Sequence, residues 1–304
     1  FDRDSKIKSF DKPLLRDVAY FAAIGIALYH FITSFIGYPA THLHRSLHVA
    51  MMLGMTFVLY PSHKKASRKR MVWYDVLFVL GSLAVAAYVW GDYINFINRM
   101  GSPSRMDVIM GTMLILLVLE ASRRISGWPL VILSLLFILY GLGGRNLPGI
   151  LMHRGYNWTK LVNHIFINSE GIYGTSVDVA ASYIFLFILF GSVMNKSGMG
   201  KFFNDLALAF AGSTKGGPAK VAVIASGFLG SINGSAVANV VTTGAFTIPL
   251  MKKTGYSKEF AGSVEASASV GGQLLPPIMG AAAFIMAEML GIKYGVIVIS
   301  ATIP

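Results

Sequence analysis

The sequence contains no cysteine and few charged residues. Without cysteine, its 304 residues can form no disulfide, no thiolate metal site and no cysteine nucleophile. Charged residues make up 13% of the chain, against roughly 25% in soluble domains. The His-Glu-x-x-His and Gly-x-Ser-x-Gly patterns of hydrolases are also absent. Because hydrophobic residues reach 54%, the composition indicates a membrane protein, and we expect no enzymatic activity, no cofactor and no transition metal.

Six apolar runs are long enough, or nearly so, to cross a bilayer as helices, which takes about 20 residues each. They are Val18–Gly37, Leu43–Tyr60, Trp73–Tyr93, Met106–Glu120, Trp128–Leu142 and Val177–Met194. After Lys201 the apolar pieces become shorter and are interrupted by glycine, serine and proline. The pattern predicts an all-α polytopic membrane protein whose last part is built differently from the rest.

The net charge of +12 could indicate nucleic-acid binding, but the basic residues lie between the apolar runs rather than on one face. If Pro61–Met71, with five basic residues, is cytoplasmic, that side collects twelve basic residues and the opposite side six. This bias predicts a bacterial inner-membrane protein with a cytoplasmic N-terminus. The basic stretch before the first run is either a solvated leader or a short helix on the anionic membrane surface. The twelve residues are Arg3, Lys6, Lys8, Lys12, Arg16, Lys64, Lys65, Arg68, Lys69, Arg70, Arg123 and Arg124.

Two stretches in apolar surroundings, Gly230–Gly244 and Gly271–Gly280, are rich in residues that break or loosen helices. A broken helix in hydrocarbon leaves amide and carbonyl groups without partners, unless protein, water or a bound solute satisfies them. Discontinuous helices of this kind form the substrate and ion sites of many secondary transporters. The first stretch is predicted to be a re-entrant hairpin with its break at Asn233–Ser235. A plainer interpretation stays open, in which the glycines and serines only pack helices tightly.

Glu265 is the most unusual charge, because it lies midway along a predicted helix of small and apolar residues. An unpaired carboxylate inside a membrane is costly, so it is by default a functional hypothesis. Glu265 could bind a cation, exchange a proton, or brace the broken helix by accepting backbone hydrogen bonds, and we prefer the brace. Glu120 lies three and four residues before Arg123 and Arg124, a spacing that predicts an ion pair at a helix end.

Two features of the region before the breaks lead to further predictions, one about structure and one about an alternative function. The segment Trp158–Ile167 places Leu161, Val162, Ile165 and Phe166 on one helical face, which predicts an amphipathic helix lying at the membrane interface. His30 and His48 lie on neighbouring apolar runs, so a haem-binding membrane electron carrier is an alternative function. A structural membrane subunit with no transport site of its own is another.

Several segments resemble the fused permease subunits of the tripartite ATP-independent periplasmic (TRAP) transporters, specifically the TAXI-associated subgroup. Leu119–Arg124 resembles the end of the family's fused small subunit. The chain starts at Phe1, stops at Pro304 and lacks the second inverted repeat of the family, so we interpret it as an N-terminal fragment of the fused small and large subunits. The large-subunit segments that carry the resemblance are Gly216–Val223, Gly234–Gly244, Phe246–Met251, Val264–Ser269 and Gly271–Glu288.

The resemblance implies a small four-helix unit fused to the first half of an inverted-repeat, elevator-type transporter. It implies sodium-coupled import of small organic acids, delivered by a periplasmic solute-binding protein of the TAXI type. The implied domains are a basic cytoplasmic leader at 1–17, a small-subunit-like unit at 18–125, connecting elements at 126–200 and a truncated transport domain at 201–304.

Under this resemblance, the two breaks become the candidate sodium site. Sodium is a hard cation that prefers oxygen ligands, and carbonyls freed at a helix break supply them together with hydroxyl and amide side chains. Half-helix N-termini at the same place would attract a substrate carboxylate. Asn233, Ser235 and Gln273 are also candidate substrate contacts, whereas Glu265, Glu120, Arg123 and Arg124 are assigned structural roles. The candidate sodium ligands are Ser231, Asn233, Gly234, Ser235, Gly271, Gly272, Gln273 and Pro276.

Overall fold

The structure is a computed structural model, and it describes residues 7–11, 13–38, 40–63, 66 and 69–303. Every regular element in this described part is a helix, which confirms the predicted all-α class. Half of the basic residues counted on the predicted cytoplasmic side lie outside the described residues, namely Arg3, Lys6, Lys12, Lys64, Lys65 and Arg68.

The chain divides into two compact units, Phe1–Ala181 and Ser182–Pro304. The first unit contains α1 (Pro13–Ile36), α2 (Thr41–Leu59), α3 (Trp73–Gly91), α4 (Tyr93–Asn98), α5 (Arg105–Ile125), α6 (Trp128–Gly143), α7 (Trp158–Val162) and α8 (Thr175–Val179). The second unit contains α9 (Phe185–Lys196), α10 (Met199–Ala211), α11 (Gly217–Asn233), α12 (Ala236–Lys253), α13 (Lys258–Gly272), α14 (Ala281–Leu290) and α15 (Tyr294–Ser300). A π-helical turn, Ala180–Ile184, continues α8 into α9.

All six predicted runs lie in helices, and four of the helical stretches are long and apolar enough to cross a membrane. These four are Pro13–Ile36, Trp73–Gly91, Trp128–Asn146 and Thr175–Lys196. The helices α2 and α5 are equally long but more polar, because α2 carries three histidines and an arginine and α5 carries five charged residues. Four of these nine groups, His44, His48, Asp107 and Arg124, are buried within the first unit.

The core of the first unit is made of large apolar side chains from α2, α3, α5 and the segment after α7. Gly111 on α5 allows close packing there, because a Cβ at this position would lie 2.4 Å from a Val162 methyl carbon. The predicted amphipathic segment therefore packs into this core, and its second half is a π-helical turn, Asn163–Ile167. Val162 and Phe166 are fully buried, as their predicted face requires, whereas Lys160 is exposed.

Lys8 differs from both interpretations of the basic leader. Its side chain is only 1% exposed, and its ammonium lies 2.6 Å from a carboxylate oxygen of Asp75. Arg124 contacts the other oxygen of Asp75 at 2.7 Å and also bonds to Glu120. Burial lowers the pKa of the Lys8 ammonium, and its hydrogen bond to Asp75 acts in the opposite direction. Lys8 is thus part of a buried ion network with Asp75 and Arg124 rather than a solvated or membrane-surface segment.

The second unit packs through much smaller residues. Its helices α11 and α12 form an antiparallel hairpin that packs against α10 and α13, and alanines dominate the buried positions between them. The sequence predicts a return of the hairpin through Val237–Val241, and the structure continues that helix to Lys253 without interruption at Pro249. Phe246–Met251, one of the segments that carry the family resemblance, therefore lies in the second half of α12.

Candidate ion and substrate site

The first helix break lies between α11 and α12, at Gly234 and Ser235. Gly234 has a φ of 61°, and a Cβ there would lie 2.4 Å from the carbonyl oxygen of Met279, so only glycine fits. The Ser235 hydroxyl accepts a hydrogen bond from the Ala238 amide at 3.3 Å and caps α12. The side-chain oxygen of Asn233 accepts from the Ser235 amide at 3.1 Å. The chain thus turns sharply, and side chains of the turn accept hydrogen bonds from two of its backbone amides.

The second break follows α13 and extends from Gln273 to Gly280. The Gly280 amide donates to the Gln273 carbonyl at 2.8 Å, which closes the break into a loop. This loop contains the cis peptide bond between Pro276 and Pro277, and Met279 has a φ of 63°. Because a proline has no amide to donate, α13 does not continue through this segment.

The two breaks contact each other directly. The amides of Ile278 and Met279 donate to the Ser231 carbonyl at 3.0 and 3.3 Å. In the other direction, the Gln273 side-chain amide donates to the Gly234 carbonyl at 3.0 Å. Carbonyl groups that the end of α11 leaves unpaired are therefore partly satisfied by the second break, and residues about 40 positions apart in sequence form one polar site.

Close packing behind this polar site brings α11 against α13. A Cβ added to Gly230 would lie 2.7 Å from the Cα of Gly272, so both positions require glycine. Beside them, the Asn239 side-chain amide donates to the Ser226 carbonyl at 2.8 Å within a fully buried environment. The plainer interpretation of the glycines therefore holds for Gly230 and Gly272, whose small size permits helix contact.

One buried donor of the site has no protein partner among the described residues. It is the side-chain nitrogen Nδ2 of Asn233, whereas the oxygen of the same amide accepts from Ser235. A buried donor without a partner is costly, and it is complementary to an acceptor such as a carboxylate. On the same turn, the Ser231 hydroxyl donates to the Phe228 carbonyl at 2.9 Å, which leaves its oxygen available as a ligand.

A cavity of about 580 Å³ adjoins the breaks within the second unit. Gly234 and Gln273 form part of its wall, and Met279 and Gly280 continue it. The first turn of α14 also lines it, and the N-cap residue of that helix, Gly280, has no side chain to satisfy the helix amides. A helix N-terminus favours negative charge, so the cavity joins oxygen-rich backbone to a surface suited to an anion.

The predicted ligands do not all occupy equivalent places. Ser231, Asn233, Gly234 and Gln273 lie where the two breaks meet, and Ser235 is engaged as the cap of α12. Gly272 is buried against α11, whereas a Cβ on Gly271 would meet no atom within 4 Å. Pro276 is half-buried within the second break.

Glu265 lies fully buried on α13 and accepts hydrogen bonds from hydroxyl groups of three helices. Ser226 of α11 donates at 3.0 Å and Ser269 of α13 at 3.2 Å. Thr243 and Thr247 of α12 also donate to the carboxylate. The sequence interpretation anticipated backbone donors, which a helix of this kind cannot offer in mid-course because its own amides are already bonded. The spacing of four residues between Thr243 and Thr247, and between Glu265 and Ser269, is the signal that sequence reasoning missed.

The remaining candidate residues lie in the first unit. Glu120 bonds to Arg123 at 2.7 Å and to Arg124 at 2.8 Å, the geometry that their spacing predicts. His30 and His48 bond directly to each other, Nε2 to Nδ1, at 2.8 Å, and the other ring nitrogen of His30 contacts the Ile26 carbonyl at 2.8 Å. The two imidazoles therefore do not face each other across a gap that an iron atom could fill.

Comparison with known families gives the class of the protein. The family model for the tripartite ATP-independent periplasmic transporter, DctM component, matches residues 113–304. Since the match covers more than half of the chain, the protein belongs to this family of TRAP transporter large permeases. With its apolar helices, it is a multi-pass membrane protein. Residues 1–112 lie outside the matched region.

Two relatives illustrate the similarity. Over 163 residues the chain is 31% identical to the C4-dicarboxylate TRAP transporter large permease protein DctM of Vibrio cholerae, covering 54% of this chain and 33% of the relative. Over 107 residues it is 33% identical to the 2,3-diketo-L-gulonate TRAP transporter large permease protein YiaN of Escherichia coli, covering 34% of this chain and 25% of the relative. The chain thus spans a quarter to a third of the length of these relatives. No solved structure matches it.

Proposed function

We propose that the chain is part of the permease of a sodium-coupled secondary transporter that imports small organic acids by an elevator mechanism. The observation that carries this proposal is the direct contact between the two helix breaks. The contact concentrates carbonyl, hydroxyl and amide groups at one place inside an apolar helical unit. Transporters use such discontinuous helices to hold coupling ions and anionic substrates. The permease itself has no enzymatic role and needs no cofactor beyond the coupling sodium.

The chemistry of the site favours a carboxylate substrate. The relatives are named for C4-dicarboxylate and 2,3-diketo-L-gulonate, and both names denote carboxylates. In this chain, the free Nδ2 donor of Asn233 and the first turn of α14 supply groups that attract a carboxylate. The oxygens of Ser231, Asn233, Gly234 and Ser235 would then serve the sodium ion, which requires acceptors rather than donors.

Residues 18–125, which lie within the first unit, are proposed to be the fused small subunit of the TAXI-associated subgroup, after a leader at 1–17. Its role is to brace the transport domain, which begins at 201 after the connecting elements of 126–200. The family match begins at residue 113, inside the proposed small-subunit unit. The substrate is proposed to arrive on a periplasmic solute-binding protein of the TAXI type.

The proposed location is the bacterial inner membrane, with the N-terminus and the basic segment Pro61–Met71 in the cytoplasm. Because the chain has no cysteine, a single introduced cysteine reports its own side. His63 is exposed and lies in this segment, whereas Ile150 is fully exposed in the loop after α6. In cells with a permeabilised outer membrane, an impermeant thiol reagent should label Ile150→Cys and leave His63→Cys unlabelled. The reverse pattern would invert the orientation.

The decisive experiment is uptake by the full-length permease in vesicles, with and without its binding protein. The assay uses radiolabelled organic acids that bind to the solute-binding protein. Uptake should require both the binding protein and an inward sodium gradient, and potassium in place of sodium is the matched control. Saturable uptake by the permease alone, or uptake that is equal in sodium and potassium, would contradict the proposal.

A further inference from the structure

The second break is also held by a side chain from a helix that follows it. The hydroxyl group of Tyr294, at the start of α15, donates a hydrogen bond to the Ile278 carbonyl. Tyr294 is half-buried, and the carbonyl belongs to the segment between α13 and α14. The helix α15 therefore bonds directly to the backbone of the break.

The Tyr294 hydroxyl bonds to a peptide group that also contacts the first break. The peptide between Ile278 and Met279 is trans, so its carbonyl and its amide point in opposite directions. The Met279 amide donates to the Ser231 carbonyl at 3.3 Å, and the Ile278 amide donates to the same oxygen at 3.0 Å. The Ile278–Met279 peptide is thus held between α15 on one side and the end of α11 on the other.

The backbone at this point depends on such support. Pro276 and Pro277 have no amide to donate, so Ile278 supplies the first amide after them. Met279 has a φ of 63°, a left-handed conformation that is unfavourable for a residue with a side chain. A Cβ on Gly234 would lie 2.4 Å from the Met279 carbonyl oxygen. The position of this peptide therefore determines how closely the two breaks fit together.

Aromatic stacking orients the Tyr294 ring. Its centroid lies 4.4 Å from that of Phe284 on α14, and the two rings are nearly parallel, at 3°. Phe284 is buried and also stacks on Phe187 of α9, at 4.9 Å and 27°. Because stacked rings have preferred arrangements, this column of three rings restricts where the Tyr294 hydroxyl can point.

The helix that carries Tyr294 lines the candidate cavity as well. Ile297 and Ser300 of α15 form part of the cavity wall, together with Gly234 and Gln273 of the breaks. One short helix thus contacts both the space for a solute and the backbone of the second break, and Tyr294 connects the two.

We propose that Tyr294 is a positioning residue of the candidate sodium site. Its hydroxyl holds the Ile278–Met279 peptide against Ser231, in the geometry that the site requires. Tyr294 acts through this peptide and is not assigned as a ligand. Its role in sodium binding rests on the proposed function, whereas its role in holding the peptide rests on the hydrogen bonds alone.

Hydrogen–deuterium exchange of the purified full-length permease tests the positioning without a transport assay. Tyr294→Phe removes the hydroxyl and keeps the ring that stacks on Phe284. The Met279 amide should then exchange about 2- to 12-fold faster, the change that corresponds to the net contribution of one hydrogen bond.

The matched control is Tyr256→Phe. Tyr256 also stacks on a phenylalanine, Phe260, at 5.5 Å, and its hydroxyl forms no hydrogen bond among the described residues. Exchange of the Met279 amide should be as in wild type in this control. An unchanged Met279 rate in Tyr294→Phe, or the same acceleration in both variants, would overturn the proposal.

A second variant covers the case in which Tyr294→Phe fails to fold, and it tests the column of rings. Phe284→Leu keeps the Tyr294 hydroxyl but removes the flat surface that orients it, so the Met279 amide should exchange faster than in wild type. The Ala261 amide, which donates to the Ser257 carbonyl at 3.0 Å at the start of α13, should keep its rate. No acceleration at Met279, or equal acceleration at both amides, would contradict the positioning role.

Uptake by the full-length transporter with its binding protein tests the role in sodium binding. Tyr294→Phe should raise the sodium concentration for half-maximal uptake by about 2- to 12-fold. The maximal rate at saturating sodium, normalised to the amount of permease in the membrane, should stay close to that of wild type. A lower maximal rate with unchanged sodium dependence would show a merely structural role and would overturn the proposal. Wild-type uptake that does not depend on sodium would refute the proposed function and the role in sodium binding, whereas the exchange measurement would still show whether Tyr294 positions the peptide.

Discussion

The two compact units solve the problem of buried polar groups in opposite ways. Every ion pair described in the protein joins residues of Phe1–Ala181, and Asp75, Asp107 and Arg124 have fully buried side chains there. Within residues 182–303, no described side chains form an ion pair, and the one fully buried carboxyl group, on Glu265, is surrounded by hydroxyls. In the first unit, buried charges are paired with opposite charges. In the second unit, the buried carboxyl group is hydrogen-bonded by neutral hydroxyl groups.

The two units also differ in the size of the apolar residues that pack their cores. Large side chains such as Phe57, Phe96 and Phe166 fill the first core, whereas alanine and glycine let backbones approach in the second. Ion pairs and large side chains fix one geometry, because each partner has a specific position. Backbone contacts and hydroxyls leave carbonyls and amides near a cavity, where a solute can use them. The comparison supports the proposal that the unpaired polar groups of the second unit serve to bind a solute.

The largest predicted effect would break the charge balance of the first unit. Asp75→Ala leaves Lys8 and Arg124 buried without their shared carboxylate. Removing one partner of a buried ion pair typically costs about 3–5 kcal/mol, so the unfolding midpoint of the purified protein should fall sharply. An unchanged midpoint would show that this network contributes little to the stability of the unit.

The next prediction tests the close packing of the second unit with two adjacent glycines. A Cβ on Gly272 would lie 2.6 Å from the Ser226 carbonyl, whereas a Cβ on Gly271 would meet open space. Gly272→Ala should therefore lose about 1–3 kcal/mol of stability through overpacking, and Gly271→Ala should lose little. Equal thermal stability of the two variants would contradict the helix contact between α11 and α13.

A third prediction concerns the polarity that the second unit leaves for a solute. If Asn233 helps to hold sodium, Asn233→Ala should raise the sodium concentration for half-maximal uptake by roughly 5- to 150-fold, equivalent to about 1–3 kcal/mol. Gln273→Ala should act likewise or weaken substrate handling. The matched control is Ser263→Ala, an exposed hydroxyl on α13. Sodium dependence as in wild type for both site variants would reject the ligand assignment, although not the family membership.

The smallest predicted effect tests whether burial determines how much an ion pair contributes to stability. Asp11 forms an ion pair with Lys69 at 3.4 Å, but both side chains are more than half exposed. Exposed pairs contribute about 0–1 kcal/mol, so Asp11→Ala should change the unfolding midpoint hardly at all. A loss as large as that of Asp75→Ala would mean that burial is not what distinguishes the two ion pairs.

Much of the helical layout could be predicted from local sequence. Each of the six apolar runs lies in a helical stretch, because the length of an apolar run that crosses a bilayer is set by the thickness of the bilayer. The breaks were predictable as well, since Gly234 and Pro276 belong to residue types that end helices. The ion pair of Glu120 with its arginines followed from spacing along one helix.

Contacts between distant segments were beyond sequence reasoning. Lys8 reaches Asp75 across 67 positions, and no local pattern distinguishes it from the other lysines of the leader. The meeting of the two breaks, through Gln273 and Gly234, also depends on how α11 and α13 pack. The hydroxyls around Glu265 come from three helices, so only their spacing within each helix is visible in one sequence.

The hydrogen bonds at the hairpin tip have a consequence for the energetics of binding. Ser235 caps α12, Asn233 supports the turn, and the Gln273 side chain donates to the Gly234 carbonyl. Ordering a flexible loop on binding would cost conformational entropy for each residue that becomes fixed. At this tip the protein's own hydrogen bonds define the turn, so little of a ligand's interaction energy would be consumed in shaping it. Preorganisation of this kind lets a weakly bound ligand still be recognised, which fits the proposed role of a carrier that releases its substrate.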